Sequence, residues 1–488
     1  MTRARTAALL LLLVGTLLFI GMGTSWQRTS PVAMIDFKAV YCGARALLEH
    51  RDPYNAPELE RIYITQGAGH ATDRPEIRLS VTRYIYPPSA FILTLPFALL
   101  PWSSAHTLWM VTTAATLVLA AFLMWTLAAP RAPIASALLL AVLLSTSELL
   151  LEVGNAAGIA VSLCVIAVWC FLTERHVPLG IACLAIALLA KPHDAALVWL
   201  YFVLASGPGR KRAVQTFLLV AILAVPLILW TSSVSPHWLT EISTNLSAHG
   251  LHGADSDPGP SGVIAWTHGA QLISLQTVFS LFWDNPRFYN SATYVVCGAL
   301  LLLWTLAVVR AKPSTSGAFL ALASISAVSM LPTYHRQQDT RLILLTIPAF
   351  ALLWTARSTF KNALDPSYSE IAIPVNNQHA TPPLELPANP FPPSTRWLAF
   401  ALTAAAVFLT GDIPLQLLGL LHRNLAIAPV TPSGKLLTVL FARPAPLALL
   451  ALAVFYLWMY LRFTHAESRP VDEATDQLLP QAGAKELK

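Results

Sequence analysis

Asp36 is the first residue of this chain whose type and position could carry chemistry. It lies in Met34-Ile35-Asp36-Phe37-Lys38-Ala39-Val40-Tyr41, directly after an apolar run and before residues 39–48, which read as a helix. A carboxylate there either caps that helix or serves as a general base at an apolar boundary. Three further clusters follow. Tyr84-Ile85-Tyr86-Pro87-Pro88 joins two aromatic residues to two prolines and reads as an interface anchor or as the wall of a substrate groove with Tyr41. Lys191-Pro192-His193-Asp194 sits between two short apolar runs. Its lysine either pairs with Asp194 or meets a phosphate as a point charge. Leu331 to Arg341 gathers His335, Arg336, Asp339 and Arg341 with two glutamines between two more apolar runs. Arg336 and Arg341 could grip a phosphate bidentately, with His335 donating a hydrogen bond to it.

Other signals are weaker. Asn155 either lines a cavity with the clusters above or caps the next helix. Asp52-Pro53-Tyr54 stops a helix and makes a turn. Asp255-Ser256-Asp257 matches a D-x-D metal motif, but its Gly and Pro surroundings read as a flexible loop. No G-x-G-x-x-G, P-loop or H-E-x-x-H occurs, and none of the five cysteines is paired in C-x-x-C spacing. No metal or other cofactor is demanded: Arg and Lys supply the positive charge.

The elements that must hold these residues are membrane spans. Of the 488 residues 55% are hydrophobic and only 11% charged, against about 25% charged in soluble domains. Mean hydropathy is +0.59. The chain is read as an all-α polytopic membrane protein, and the net charge of +6 forms no basic stripe for nucleic acid. Apolar runs at 7–23, 105–128, 133–151, 156–172, 178–190, 195–206, 213–230, 291–309, 317–332, 342–356, 397–411 and 445–461 give about 12 transmembrane helices. The first reads as a retained anchor, since no convincing cleavage site follows it. With both termini cytoplasmic, 16 Lys and Arg fall inside and 7 in the outside segments after the first long loop, which agrees with the positive-inside rule. The run 86–102 carries four prolines and reads as a short interfacial or re-entrant helix on the outer side. All the candidate residues then lie on the outer face. The expected organisation is a core over 1–356 with long outer loops 24–104 and 231–290, a Pro-rich cytoplasmic linker 357–395, C-terminal helices 396–462 and a disordered tail 463–488.

An Asp after the first span, the stretch from Tyr41 to Arg51-Asp52-Pro53-Tyr54, the Tyr86-Pro87-Pro88 helix, the Lys191-Pro192 break and the polar motif near the tenth span resemble glycosyltransferase family 87. The resemblance runs over about 7–356. It implies a GT-C fold, a polyprenyl-phosphate sugar donor (mannose foremost), a glycolipid or glycan acceptor among membrane lipid, and transfer on the extracytoplasmic side of the inner cell membrane. It also implies Asp36 as the catalytic base and Tyr84 to Pro88, Lys191 and His335 as family elements; a single displacement assisted by such a base would invert the anomeric centre. The sequence after His335 departs from the mannosyltransferase pattern. Lys191, His335, Arg336 and Arg341 are then the donor-phosphate contacts. Tyr41, Tyr84, Tyr86, Asn155, His193, Asp194 and Asp339 line the substrate groove. The alternative is a transporter or flippase of a lipid-linked or phosphorylated sugar. It fits less well because the charges gather on one face rather than at the midplane.

Overall fold

The computed structural model describes residues 3–252, 254, 256–259, 272–354, 394–414, 417, 421 and 431–467. The linker 357–395 up to residue 393, the tail beyond residue 467 and Asp255 of the D-x-D triplet lie outside them. Among the described residues the chain is all α, with one isolated bridge between Leu272 and Arg336.

Among the described residues six helices are long and apolar enough to cross a bilayer. Four of them are α1 (Arg3–Thr29), α6 (Trp102–Ala128), α12 (Pro208–Val234) and α15 (Pro286–Arg310). The fifth is built from α7 (Pro133–Ser145) and α8 (Leu149–Val153), and the sixth is most of α20 (Pro444–Glu467). Their apolar surface is not all used inside the protein. In α12, Phe217, Ile222 and Leu229 stay 56, 66 and 65% exposed. Apolar faces this wide are rare on soluble monomers, and lipid is the solvent that accommodates them. The protein is a polytopic membrane protein.

The remaining apolar runs form shorter helices: α9 (Ala157–Thr173), α10 (Val177–Ala190), α11 (Pro192–Leu204), α16 (Thr315–Ser329), α17 (Thr346–Trp354) and α18 (Ser394–Leu409). Two expected spans are broken. The run 133–151 divides at Thr146–Glu148, where the Thr146 carbonyl turns out to serve other segments. The run 342–356 opens with a 3-10 helix, Gln337–Leu345, and continues as α-helix over Thr346–Trp354, where the described stretch ends. Close helix approach sets the packing of α1 on α7: a Cβ on Gly15 would lie 2.6 Å from the Ala141 Cα.

The first long loop is a folded layer with its own core. It holds α2 (Ile35–Leu48), α3 (Ala56–Thr65), α4 (Pro75–Thr82), a 3-10 turn at Pro88–Ala90 and α5 (Phe91–Ala98). The run 86–102 thus holds a short helix, Phe91–Ala98, rather than one long enough to span. Phe37, Tyr41, Tyr54, Tyr63, Tyr84 and Phe91 are buried there against Trp109 of α6. Asn55 caps α3, accepting from the Glu58 amide at 3.2 Å. Asp52 makes the expected turn, its carboxylate accepting from the Tyr54 amide at 2.9 Å. All five cysteines are buried and free.

Candidate active site

Five segments distant in sequence bring their polar groups to one place. Asp36 stands in the first turn of α2, which begins at Ile35. It is therefore not the cap of that helix: Met34 occupies the cap position in a left-handed conformation and no side chain caps it. The Asp36 carboxylate instead accepts from Asn155 Nδ2 at 2.7 Å. Asn155 Oδ1 also accepts from the Ala157 amide at 2.8 Å at the start of α9, one residue before the cap position, which Ala156 occupies.

The two backbones are stitched so that this contact can form. The Met34 amide donates to the Glu152 carbonyl at 2.6 Å. Gly154 ends α8 with φ +68°, and a Cβ there would stand 2.8 Å from Phe37 Cβ. Only glycine allows both the turn and the approach. The Trp109 indole donates to the Gly154 carbonyl at 3.0 Å from beneath.

Lys191 ends α10, and Pro192 opens α11 at once, so the chain breaks with the lysine facing inward. Its Nζ donates to Asp339 Oδ1 at 2.5 Å and to Asn155 Oδ1 at 3.3 Å. Asp194, the expected partner, lies farther off at 3.7 Å. Asp339 in turn caps the 3-10 helix, its Oδ2 accepting from the Arg336 amide at 2.8 Å. A continuous path therefore runs Asp36, Asn155, Lys191, Asp339. Breaking a buried ion pair such as Lys191–Asp339 costs about 3–5 kcal/mol.

The loop 331–336 completes the site. It is held by the segment 272–275, whose Ile273 amide donates to the His335 carbonyl at 3.1 Å and whose Leu275 amide donates to the Leu331 carbonyl at 3.0 Å. His335 is buried, with Nε2 3.5 Å from Asp194 Oδ1. His193 approaches the same oxygen at 3.6 Å from a more exposed position. Arg336 is half-buried, with its guanidinium over the Tyr334 ring and its Nε donating to the Tyr334 hydroxyl. Tyr86 reaches the rim: its carbonyl accepts from Tyr54 at 2.9 Å, and Ser89 donates to the Leu189 carbonyl at 3.0 Å, tying the Tyr-Pro-Pro turn to the end of α10. Burial pushes the Tyr86 phenol up and the neighbouring Asp36 adds to this. Burial also raises the Asp36 carboxyl, while Asn155, Arg336 and Lys191 pull it back down.

Three residues expected in the site do other work. Arg341 shares the 3-10 helix with Asp339 but faces away, since two residues advance a 3-10 helix by about 240°. It is fully buried, donating to the Thr146 carbonyl at 2.8 Å and to Asp412 Oδ1 at 3.4 Å. Tyr41 donates to the Leu100 carbonyl at 3.0 Å inside the aromatic core. Tyr84 stacks on Phe91 at 5.4 Å and lies against Gly43. A phosphate role for Arg341 and a groove role for these two tyrosines do not follow from this packing. Asp412, which the sequence reading did not single out, also accepts from the Leu149 amide at 2.8 Å. Of the D-x-D triplet only Asp257 and Ser256 are described. Asp257 is buried and accepts from the Gly259 amide at 2.8 Å, in a loop turn.

The family model of glycosyltransferase family 87 matches residues 84–333. That stretch takes in Tyr86, Asn155, Lys191, His193 and Asp194. Asp36, His335, Arg336 and Asp339 lie beyond its two ends. No curated protein and no solved structure matches the chain.

Proposed function

The chain belongs to glycosyltransferase family 87, and on that premise we propose that this membrane glycosyltransferase moves a hexose from a polyprenyl-phosphate donor to a lipid or glycan acceptor. Mannose is the sugar we put first. The reaction takes place at the extracytoplasmic surface of the inner cell membrane and inverts the anomeric centre. Asp36 is the general base. The acceptor hydroxyl gives its proton to Asp36 as its oxygen attacks the anomeric carbon. The bond from that carbon to the phosphate oxygen breaks on the opposite side, and polyprenyl phosphate leaves.

The observation that carries this reading is the contact between Asp36 and Asn155, which joins the carboxylate to the Lys191 cluster. An acid held at 2.7 Å by one donor keeps its other oxygen for a substrate proton. Arg336 is the accessible cation for the departing phosphate, with His335 beside it. Lys191, already paired with Asp339, contributes its charge through that pair. The gathering of all these groups at one place supports a single outer-face site and disfavours a translocation path.

The test is transfer by purified protein in lipid, given a panel of radiolabelled polyprenyl-phosphate sugars and a membrane-lipid acceptor extract. Wild type is run beside Asp36→Asn. Transfer lost in the variant with donor binding retained is the expected result. Equal transfer by both would remove Asp36 as the base. Sugar uptake into liposomes without transfer would replace the enzyme reading with transport.

A further inference from the structure

We propose that His193, Asp194 and His335 form a binding site for one divalent transition-metal ion of the zinc or manganese class. Their ligand atoms lie within 4.8 Å of one another. His335 Nδ1 lies 3.2 Å from the Thr333 carbonyl, which can only accept, so in the neutral ring the proton sits on Nδ1. Nε2 then presents a lone pair to Asp194 Oδ1 at 3.5 Å. Neither atom has a hydrogen-bond partner, and both side chains are 1% exposed. Two buried lone pairs facing each other need a cation between them. A backbone carbonyl on one ring nitrogen with the other aimed at a shared point is how metal-bound histidines are oriented.

The spacing fits an ion. Arms of about 2.1 Å are usual for imidazole and carboxylate on zinc. With such arms, the separations of 3.5 and 3.6 Å from Asp194 Oδ1 to His335 and His193 subtend about 115°. That is near the tetrahedral angle. His193 is the half-exposed member, and its ring meets the His335 ring edge-on at 5.1 Å. A small turn of that ring closes the set and leaves a fourth position, with Lys191 3.7 Å from the other Asp194 oxygen and Arg336 next to His335 in the chain. The ligand that fits an open position beside those cations is an oxyanion such as a phosphate. Lys191 lies 3.7 Å from the other Asp194 oxygen and opposes the ion, but Asp339 at 2.5 Å offsets its charge.

The alternative cation is a proton, giving an imidazolium on Asp194 and no metal affinity. Full-length protein in detergent, stripped with chelator, is titrated with Co²⁺ and followed by visible ligand-field absorption, with Zn²⁺ as competitor. One equivalent is expected, displaced by Zn²⁺. Asp194→Asn and His335→Ala should weaken it by more than the roughly 10–100-fold lost with an outer-shell partner. Both ions should raise the melting temperature of wild type and not of these variants. His193→Ala, at the half-exposed position, provides the same loss in a variant that keeps its buried packing. His252→Ala is the control, because His252 faces Asp257 at 3.1 Å and Asp284 at 3.5 Å elsewhere on the protein. Absence of Co²⁺ binding by wild type, or binding lost in His252→Ala and kept in His193→Ala, overturns the proposal.

Discussion

At Asp36 two influences oppose each other. Burial favours the protonated acid, while the Asn155 amide and the nearby Arg336 and Lys191 favour the carboxylate, and burial is the stronger. A base must be deprotonated, so transfer should fall as pH drops through a value above that of an ordinary aspartate. Replacing Asn155 with alanine removes a donor to the charged form. The acid limb of the pH–rate profile should then move to higher pH, and a limb that moves down or stays put would separate Asn155 from the base. Asp36→Asn should lower transfer by about 10²–10⁴-fold, the usual contribution of a general base. Lys191→Met and Asp339→Asn should each cost stability by leaving a buried charge alone. The double variant should recover part of it, and thermal unfolding of the four proteins gives the coupling. The sequence showed Asp36 and Lys191 as candidates because charges in apolar surroundings are rare. It could not show their link, because Asn155 is 119 positions from Asp36. Nor could it show that Lys191 chooses Asp339 over Asp194, three residues away. That choice is made by the break at Pro192 and by the 3-10 helix.

At the scale of elements, the 3-10 helix Gln337–Leu345 joins two halves of the structure. Asp339 leaves one side toward Lys191, and Arg341 leaves another toward Asp412 and the Thr146 carbonyl. Asp412 follows α18 and also holds the start of α8, the helix that leads into Asn155. The C-terminal helices thus brace two site-bearing loops from behind. Asp412→Ala should lower stability by about 3–5 kcal/mol, as loss of one partner of a buried pair does. It should also reduce transfer without touching substrate. A melting temperature unchanged from wild type would show that the brace carries no load. Most helices were legible from hydropathy alone. The breaks at Thr146 and Leu345 were not, since an apolar run does not reveal where a backbone carbonyl is needed by a distant arginine. Arg341 was misassigned for a related reason: five residues from Arg336 in sequence, it is sent elsewhere by the 3-10 turn.

For the whole molecule, the positive-inside count predicts which loops face which side. The five native cysteines are buried, so single introduced cysteines can be read against a quiet background. Thr240→Cys at the exposed surface of the second long loop should react with a membrane-impermeant thiol reagent in intact cells, and Lys211→Cys should react only after permeabilisation. The reverse pattern would invert the orientation and place the site on the cytoplasmic face. The first long loop was legible as long but not as a layer with its own aromatic core. Its aromatic residues are scattered over 37–102, Trp109 joins them from α6, and no period marks their meeting.

Trp109 lies under this meeting point. Its ring stacks on Phe37 at 4.4 Å, next to Asp36, and its indole N–H holds the Gly154 carbonyl, next to Asn155. Anything that moves Asp36 relative to Asn155 must change the surroundings of that indole. Trp109 is one of fourteen tryptophans, so the difference in emission between wild type and Trp109→Phe isolates a label-free signal from beside the site.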